Sequence, residues 1–344
     1  MLHQDVVDEL RAIAEAAGID RMGVASAEAF GEARRALEQR LQAGYAAGMQ
    51  FTFRNPIRST DPRRTLSAAR SLVVGARAYP ARVPPSPEGP HGRVARYATD
   101  DQYVALRSGL QAVAARLEAD GWRTRVLVDD NALVDRAAAH RAGIGWFGKN
   151  SNVLLPGSGS WFVLGSVVTD APLPPADKPL ADGCGACSRC LDSCPTDAIV
   201  APGVVDARRC LAWLVQAEGD FPEPYRRALG DRIYGCDDCQ EVCPPNRRGK
   251  PAEETAAGTP WVSLVELLRS DDATLLQRHG RWYIPRRAPR YLRRNALVAL
   301  GNVGNPNDPD VVDVVEEYST SDDSMLRRHA RWAAREIGLR AVSR

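Results

Sequence analysis

The residues most able to do chemistry in this chain are eight cysteines. Four lie in the run Cys184-Gly185-Ala186-Cys187-Ser188-Arg189-Cys190-Leu191-Asp192-Ser193-Cys194-Pro195, and four more follow as Cys210, Cys236, Cys239 and Cys243, the last preceding Pro244. Three thiolates spaced by two residues can reach three iron corners of one cube, while a fourth cysteine followed by proline points toward a second cluster. Eight ligands suffice for two [4Fe–4S] cubes. If the fourth cysteine of each run crosses over, Cys184, Cys187, Cys190 and Cys243 hold one cube, and Cys194, Cys210, Cys236 and Cys239 hold the other. Structural zinc or a disulfide framework are the alternatives. Zinc ribbons present isolated Cys-x-x-Cys knuckles, and disulfides suit short secreted chains better than this one.

A protein that carries paired cubes is either an electron shuttle or the wiring of a larger redox enzyme. Here about 180 residues precede the cysteines and about 90 follow them, more than a bare ferredoxin needs, which favours an enzyme. The strongest acid–base candidate is Asp129, in Val128-Asp129-Asp130-Asn131, where a strand runs into a helix. A carboxylic acid facing an apolar cleft can stay protonated and give its proton to a leaving oxygen. The ordinary alternative is that Asp130 or Asn131 caps the helix and Asp135 pairs with Arg136 on the surface. Lys149 is one of only three lysines, with Lys178 and Lys250, in an arginine-rich chain.

A third group lies near the C-terminus. Arg278, Arg281, Arg286, Arg287, Arg290, Arg293 and Arg294 place seven positive charges in 17 residues with no acid among them. Joined by Trp282, Tyr283 and Tyr291, such a stripe could hold a phosphate backbone and stack on a base. A solvated helical face accounts for it equally well.

These residues must be positioned by an α+β first half. The pattern predicts helices near 6–18, 27–41, 101–120 and 132–142, and strands at 21–25, 71–78 and 124–128. Residues 153–155 and 161–168 read as a β-hairpin across Pro156-Gly157-Ser158-Gly159. Residues 79–92 carry five prolines, including Pro80, and form a loop. Prolines 172, 174, 175 and 179 read as a linker, and helices are expected at 206–217 and 223–229. Leu292-Arg293-Arg294-Asn295-Ala296 echoes Leu326-Arg327-Arg328-His329-Ala330 at 34 residues, as in stacked HEAT-like helical repeats. The expected division is 1–175, 176–250 and 251–344. Formal net charge is only +2. No apolar run approaches the ~18 residues of a membrane span and the start has no basic leader, so a soluble, cytoplasmic protein is expected.

Taken together, several segments resemble the epoxyqueuosine reductase family over nearly the whole chain. They are Asn55-Pro56-Ile57-Arg58 with Asp61-Pro62-Arg63, Val128-Asp129 with Leu133-Val134-Asp135-Arg136, Ala142-Gly143-Ile144-Gly145-Trp146-Phe147-Gly148-Lys149-Asn150, the cysteine set and Leu292-Arg293-Arg294-Asn295-Ala296-Leu297. The resemblance implies a nitroreductase-like cobalamin-binding domain, a ferredoxin-like domain with two [4Fe–4S] clusters and an all-α HEAT-like tail. It implies reduction of epoxyqueuosine to queuosine in the anticodon loop of tRNA, electrons passing from an external one-electron donor through both clusters to cobalamin. A monomer is expected.

By the same resemblance Asp129 is the proton donor. Cobalamin contacts would come from Arg58, Asp129, Lys149, Asn150, Val153, Ala212, Asp237 and Asp238, with RNA contacts from Arg286, Arg287, Arg290, Arg293 and Arg294. Two positions depart from the family: Val104 stands where histidine is usual, and Ala95 where some members have cysteine. They leave open a corrinoid-dependent reductase of another substrate. An iron–sulfur electron-transfer protein without corrinoid is the third reading.

Overall fold

The computed structural model describes residues 4–79, 82–176, 178–248 and 258–339. At its centre lies a four-stranded antiparallel sheet in the order Arg21–Ser26, Ser71–Ala78, Phe162–Thr169, Thr124–Val128. Six successive residues of Ser71–Ala78 are buried. Both faces of this inner strand are covered, so residues 72–76 are apolar in succession instead of alternating. Val73 faces Leu10 of the helix Gln4–Ala16 and Leu106, Leu110 and Val113 of the helix Gln102–Ala119. Leu72 and Val74 face Leu133 and the small residues Ala138 and Ala139 of the helix Asp135–Arg141. Gly165 lets Leu110 approach the sheet: a Cβ there would lie 2.8 Å from Leu110 Cδ1.

The hairpin expected from 153–155 and 161–168 does not form. Val153–Leu154 pairs instead with Trp146–Phe147. Phe162–Thr169 runs between two other strands of the main sheet, where it makes ladders on both sides. Only a Leu155–Gly159 bridge remains across the turn.

A second sheet ties distant parts of the chain together. His91–Val94 pairs in parallel with Arg232–Tyr234 and antiparallel with Trp261–Ser263. Val94 and Ala98 share a core with Ile233, Leu264, Leu297 and Val314. Segments expected in three domains therefore share one sheet and one core. The boundary expected near residue 250, with Lys250, lies outside the described residues, as does Pro80.

After residue 258 the chain is almost wholly helical. The two segments that echo each other in sequence are Arg290–Val303 and Ser324–Glu336, which pack face to face with Pro309–Ser319 alongside. Gly301 permits the close approach, since a Cβ there would meet the Trp332 ring at 2.6 Å. Asp308 and Asp323 cap the second and third helices by accepting from backbone N–H groups. The helix expected over 206–217 is only Leu211–Leu214, while Glu223–Leu229 forms as expected. No helix among the described residues is long and apolar enough to cross a membrane.

Candidate active site and cysteine loops

Asp129 ends the strand Thr124–Val128 with φ of +50°, a left-handed conformation that non-glycine residues seldom adopt. Its carboxyl is exposed, yet the surrounding protein raises its pKa by desolvation, opposed by Arg107 and helped by Asp130 and Asp101. An exposed group that is also desolvated lines an opening in a wall of protein. Arg107 is held there by donating to Val128 O at 2.8 Å. Asp130 accepts from Ala132 N at 2.9 Å, making a turn and leaving the helix start at Val134 without a side-chain cap.

Burial raises the Asp135 carboxyl well above the usual range, and Asp129 adds to the effect while Arg136 opposes it. No hydrogen bond to the Asp135 carboxyl is present among the described residues. Tyr103 is likewise pushed up by burial and then by Asp129 and Asp135. The charge of Arg136 acts on Asp135 and also on Cys210. Arg136 thus lies within electrostatic reach of both Asp135 and Cys210.

The eight thiols are free. Cys190 and Cys243 feel Cys184 and Cys187, while Cys210 feels Cys194 and Cys236 feels Cys210. Cys239 feels Cys236 and Cys210 before Cys190. These couplings run mostly within the two sets that the spacing suggests, with Cys239 also feeling Cys190 across them. Burial raises every one of Cys190, Cys210, Cys236, Cys239 and Cys243, with Cys243 pushed up to about 11 and Cys236 to about 12. Ligation must therefore release protons. Among the described residues no three His, Cys, Asp or Glu side chains converge on a point for a single metal ion. A cube asks for something different, one iron corner for each thiolate.

The remaining expected site residues fall in distinct places. Arg58 is exposed on the turn Pro56–Ser59, which docks near the opening because Val134 N donates to Ser59 O at 2.9 Å. Val153 is buried and Ala212 lies on the short helix just after Cys210. Asp237 is buried, accepting from Arg96 N at 2.8 Å, and Asp238 takes both its oxygens to Arg232 Nη2 at 2.5 and 2.7 Å. Both carboxylates are thus committed to arginines. Lys149 Nζ donates to Gly185 O at 2.7 Å, and Asn150 Nδ2 donates to Cys239 O at 3.2 Å.

Val104 is 63% exposed on the first turn of the helix that carries Tyr103, and Ala95 is buried against Gly235. A separate cleft of about 310 Å³ lined by Arg93, Arg96, Asp237 and Glu241 is crossed by their ion pairs and does not include Asp129.

Within the arginine stripe the structure corrects one residue, Arg294, and ties the others to local partners. Arg294 is fully buried, where a phosphate cannot reach it, and donates to the carbonyls of Leu214, Val215, Ala217 and Gly219. Burial lowers its pKa to about 10, opposed by Tyr291 and Asp220. Arg293 is nearly covered and pairs with Asp272, Arg290 pairs with Asp323 at 2.8 Å, and Arg286 with Glu218 at 2.8 Å. Arg287 donates to Gly280 O. Local sequence shows no acid because the acids come from other helices. Asp101, Arg107 and Trp146 are functional candidates that spacing alone does not single out.

Residues 183–246 match a family described as a 4Fe-4S double cluster binding domain. An epoxyqueuosine reductase from Bacillus cereus is 36% identical over 98% of this chain and 89% of its own length. One from Xanthomonas campestris is 34% identical over 97% of each chain. A crystal structure of an epoxyqueuosine reductase with an epoxyqueuosine-modified tRNA-Tyr stem loop superposes with TM-score 0.88 at 32% identity, covering 97% of this chain and 91% of that one. With the double-cluster cysteines, the Asp129 opening and near full-length similarity in both sequence and fold, the chain belongs to the epoxyqueuosine reductase family.

Proposed function

We propose that this chain reduces the epoxide of epoxyqueuosine in tRNA to the alkene of queuosine, with Asp129 as the acid. The reaction takes two electrons and two protons and releases water. Asp129 carries the reading: its carboxyl is held at the end of a strand in a left-handed backbone conformation and is biased toward its protonated form. A neutral acid in this position can donate to the departing oxygen. Burial, Asp130 and Asp101 oppose its ionisation, while Arg107 restrains the shift so that proton loss remains accessible.

A corrinoid bound beside Asp129 would meet Tyr103, which lies within electrostatic reach of that carboxyl and whose burial keeps its hydroxyl neutral. His91 and His140 meet backbone oxygens, His279 stacks on Trp282 and His329 bonds Phe221 N. No described histidine is offered as a cobalt ligand. When bound, cobalamin supplies carbon-directed reductive chemistry and the two clusters supply its electrons. Asp237 and Asp238, tied to arginines, would offer a bound cofactor a fixed turn and not free carboxylates. The exposed Arg58 and Arg54, which have no acid partner among the described residues, are placed to meet tRNA phosphate.

Anaerobically reconstituted protein given tRNA bearing epoxyqueuosine and a chemical reductant should yield queuosine on nucleoside analysis. Asp129→Asn, with iron and cobalamin content unchanged, should lose at least ~100-fold in turnover, the scale of general acid catalysis. Full activity would remove Asp129 from the reaction.

A further inference from the structure

The segment from Gly143 to Asn150 touches the cysteine loops at several points. The Trp146 ring abuts Gly183, the residue before Cys184, so closely that a Cβ on that glycine would lie 2.7 Å from Trp146 Cε2. The contact is made by the benzene edge of the indole, Cε2, Cζ2 and Cη2, which seats the ring against this loop. Trp146 Nε1 is buried and has no hydrogen-bond partner. A buried N–H left without an acceptor costs about 1–3 kcal/mol. The indole is a donor only.

Three residues on, Lys149 Nζ donates to Gly185 O, between Cys184 and Cys187, and no carboxylate pairs with it among the described residues. Its backbone oxygen accepts from Gly203 N at 2.8 Å, which anchors the turn. The glycines make this packing possible. A Cβ on Gly145 would lie 2.5 Å from Leu154 O, and one on Gly148 would lie 2.3 Å from Leu154 Cδ1.

We propose that Trp146 and Lys149 set the reduction potential of the cluster held by Cys184, Cys187, Cys190 and Cys243. In this arrangement Trp146 Nε1–H donates to a sulfur of that cluster, and Lys149 places a positive charge behind the same loop. Reduction adds negative charge to a cluster, so an N–H donor and a nearby cation both favour the reduced form. Asn150 acts on the other loop only through Cys239 O, so the two clusters are addressed by different residues of one turn. The inference rests on the two-cluster reading of the family and adds residues outside the ligand set.

The test is a redox titration of the full chain, reconstituted anaerobically and followed by electron paramagnetic resonance. Trp146→Phe keeps the ring and removes only the donor; Lys149→Gln keeps the length and removes the charge. Each is expected to lower the midpoint of one cluster by the equivalent of a tenfold change in its reduced-to-oxidised ratio, about 59 mV for one electron. The other cluster should keep its midpoint, and Lys149→Arg should restore the first. Two unchanged midpoints in both variants, or equal shifts of both clusters, would overturn the proposal. Wild-type protein that binds no iron–sulfur cluster would instead overturn the reading on which it rests.

Discussion

Arg294 Nη2 donates to Leu214 O at 3.0 Å, joining the helical tail to the segment four residues beyond Cys210. The same guanidinium reaches Ala217 O and Gly219 O at 2.7 Å each, and Asn295 beside it donates to Val215 O at 2.8 Å. This tail residue therefore finishes a short helix that begins at a cysteine. Arg294→Met would strand several buried carbonyls, each hydrogen bond to a charged group contributing about 1.5–3 kcal/mol. We expect a loss of about 3 kcal/mol or more in chemical unfolding of the reconstituted protein, with a lower denaturation midpoint. Wild-type stability in this variant would show that Arg294 clamps nothing.

The same residue shows where sequence reasoning stops. Cysteine spacing is a local pattern read by a cluster that is itself compact, so a double-cluster segment can be read from the chain alone. The buried strand Ser71–Ala78 and the helix Glu223–Leu229 are legible for the same reason, since their signals lie within the element. Arg294 is not, because a stretch without acids looks alike whether its partners are water or carbonyls 75 to 80 residues away. The hairpin expectation fails similarly: Phe162–Thr169 carries the alternation of a strand but nothing that names Ser71–Ala78 and Thr124–Val128 as its neighbours. Trp146 gives no signal in the sequence, since an orphaned N–H exists only once the fold has surrounded it.

Binding of tRNA should be salt-dependent through arginines other than the buried one. Arg54 and Arg58 lie on an exposed turn with Phe51 and Ile57 also exposed, close to the loop that follows Asp129. Replacing both by alanine should reduce the slope of log affinity against log salt by about 0.7 for each phosphate no longer neutralised. Arg290→Ala should change the slope less, because Asp323 already neutralises that charge. Filter binding across a salt series measures both. An unchanged slope in the Arg54 and Arg58 double variant would exclude them as phosphate ligands.

The pH profile follows from the sign of the Asp129 shift. An acid is active while protonated, so turnover should fall as pH rises through the folded pKa of Asp129, which lies above the usual carboxylate value. Asp130→Asn keeps the oxygen that accepts from Ala132 N but removes a like charge. Its falling limb should move to lower pH. Arg107→Gln removes the opposing charge and should move the limb the other way. Single-turnover rates with saturating reductant report the limb directly, and identical limbs in all three proteins would assign it to another group.

Asp135 provides the stability counterpart. Its carboxyl is raised in the folded protein, so the native state holds a proton that the unfolded chain releases at about pH 4. The native state therefore binds more protons over that interval, and stability declines as pH rises from the unfolded value through the folded one. Asp135→Asn never ionises and escapes the decline. The variant should unfold at a higher temperature than wild type near pH ~8, by on the order of 2–4 °C for each kcal/mol relieved, with the gap narrowing toward the acid side. Asp129 adds its charge to the burial that raises Asp135, so Asp129→Asn should narrow the same pH-dependent loss of stability. An unfolding temperature near pH ~8 that does not rise in Asp135→Asn would show that this carboxyl carries no such penalty.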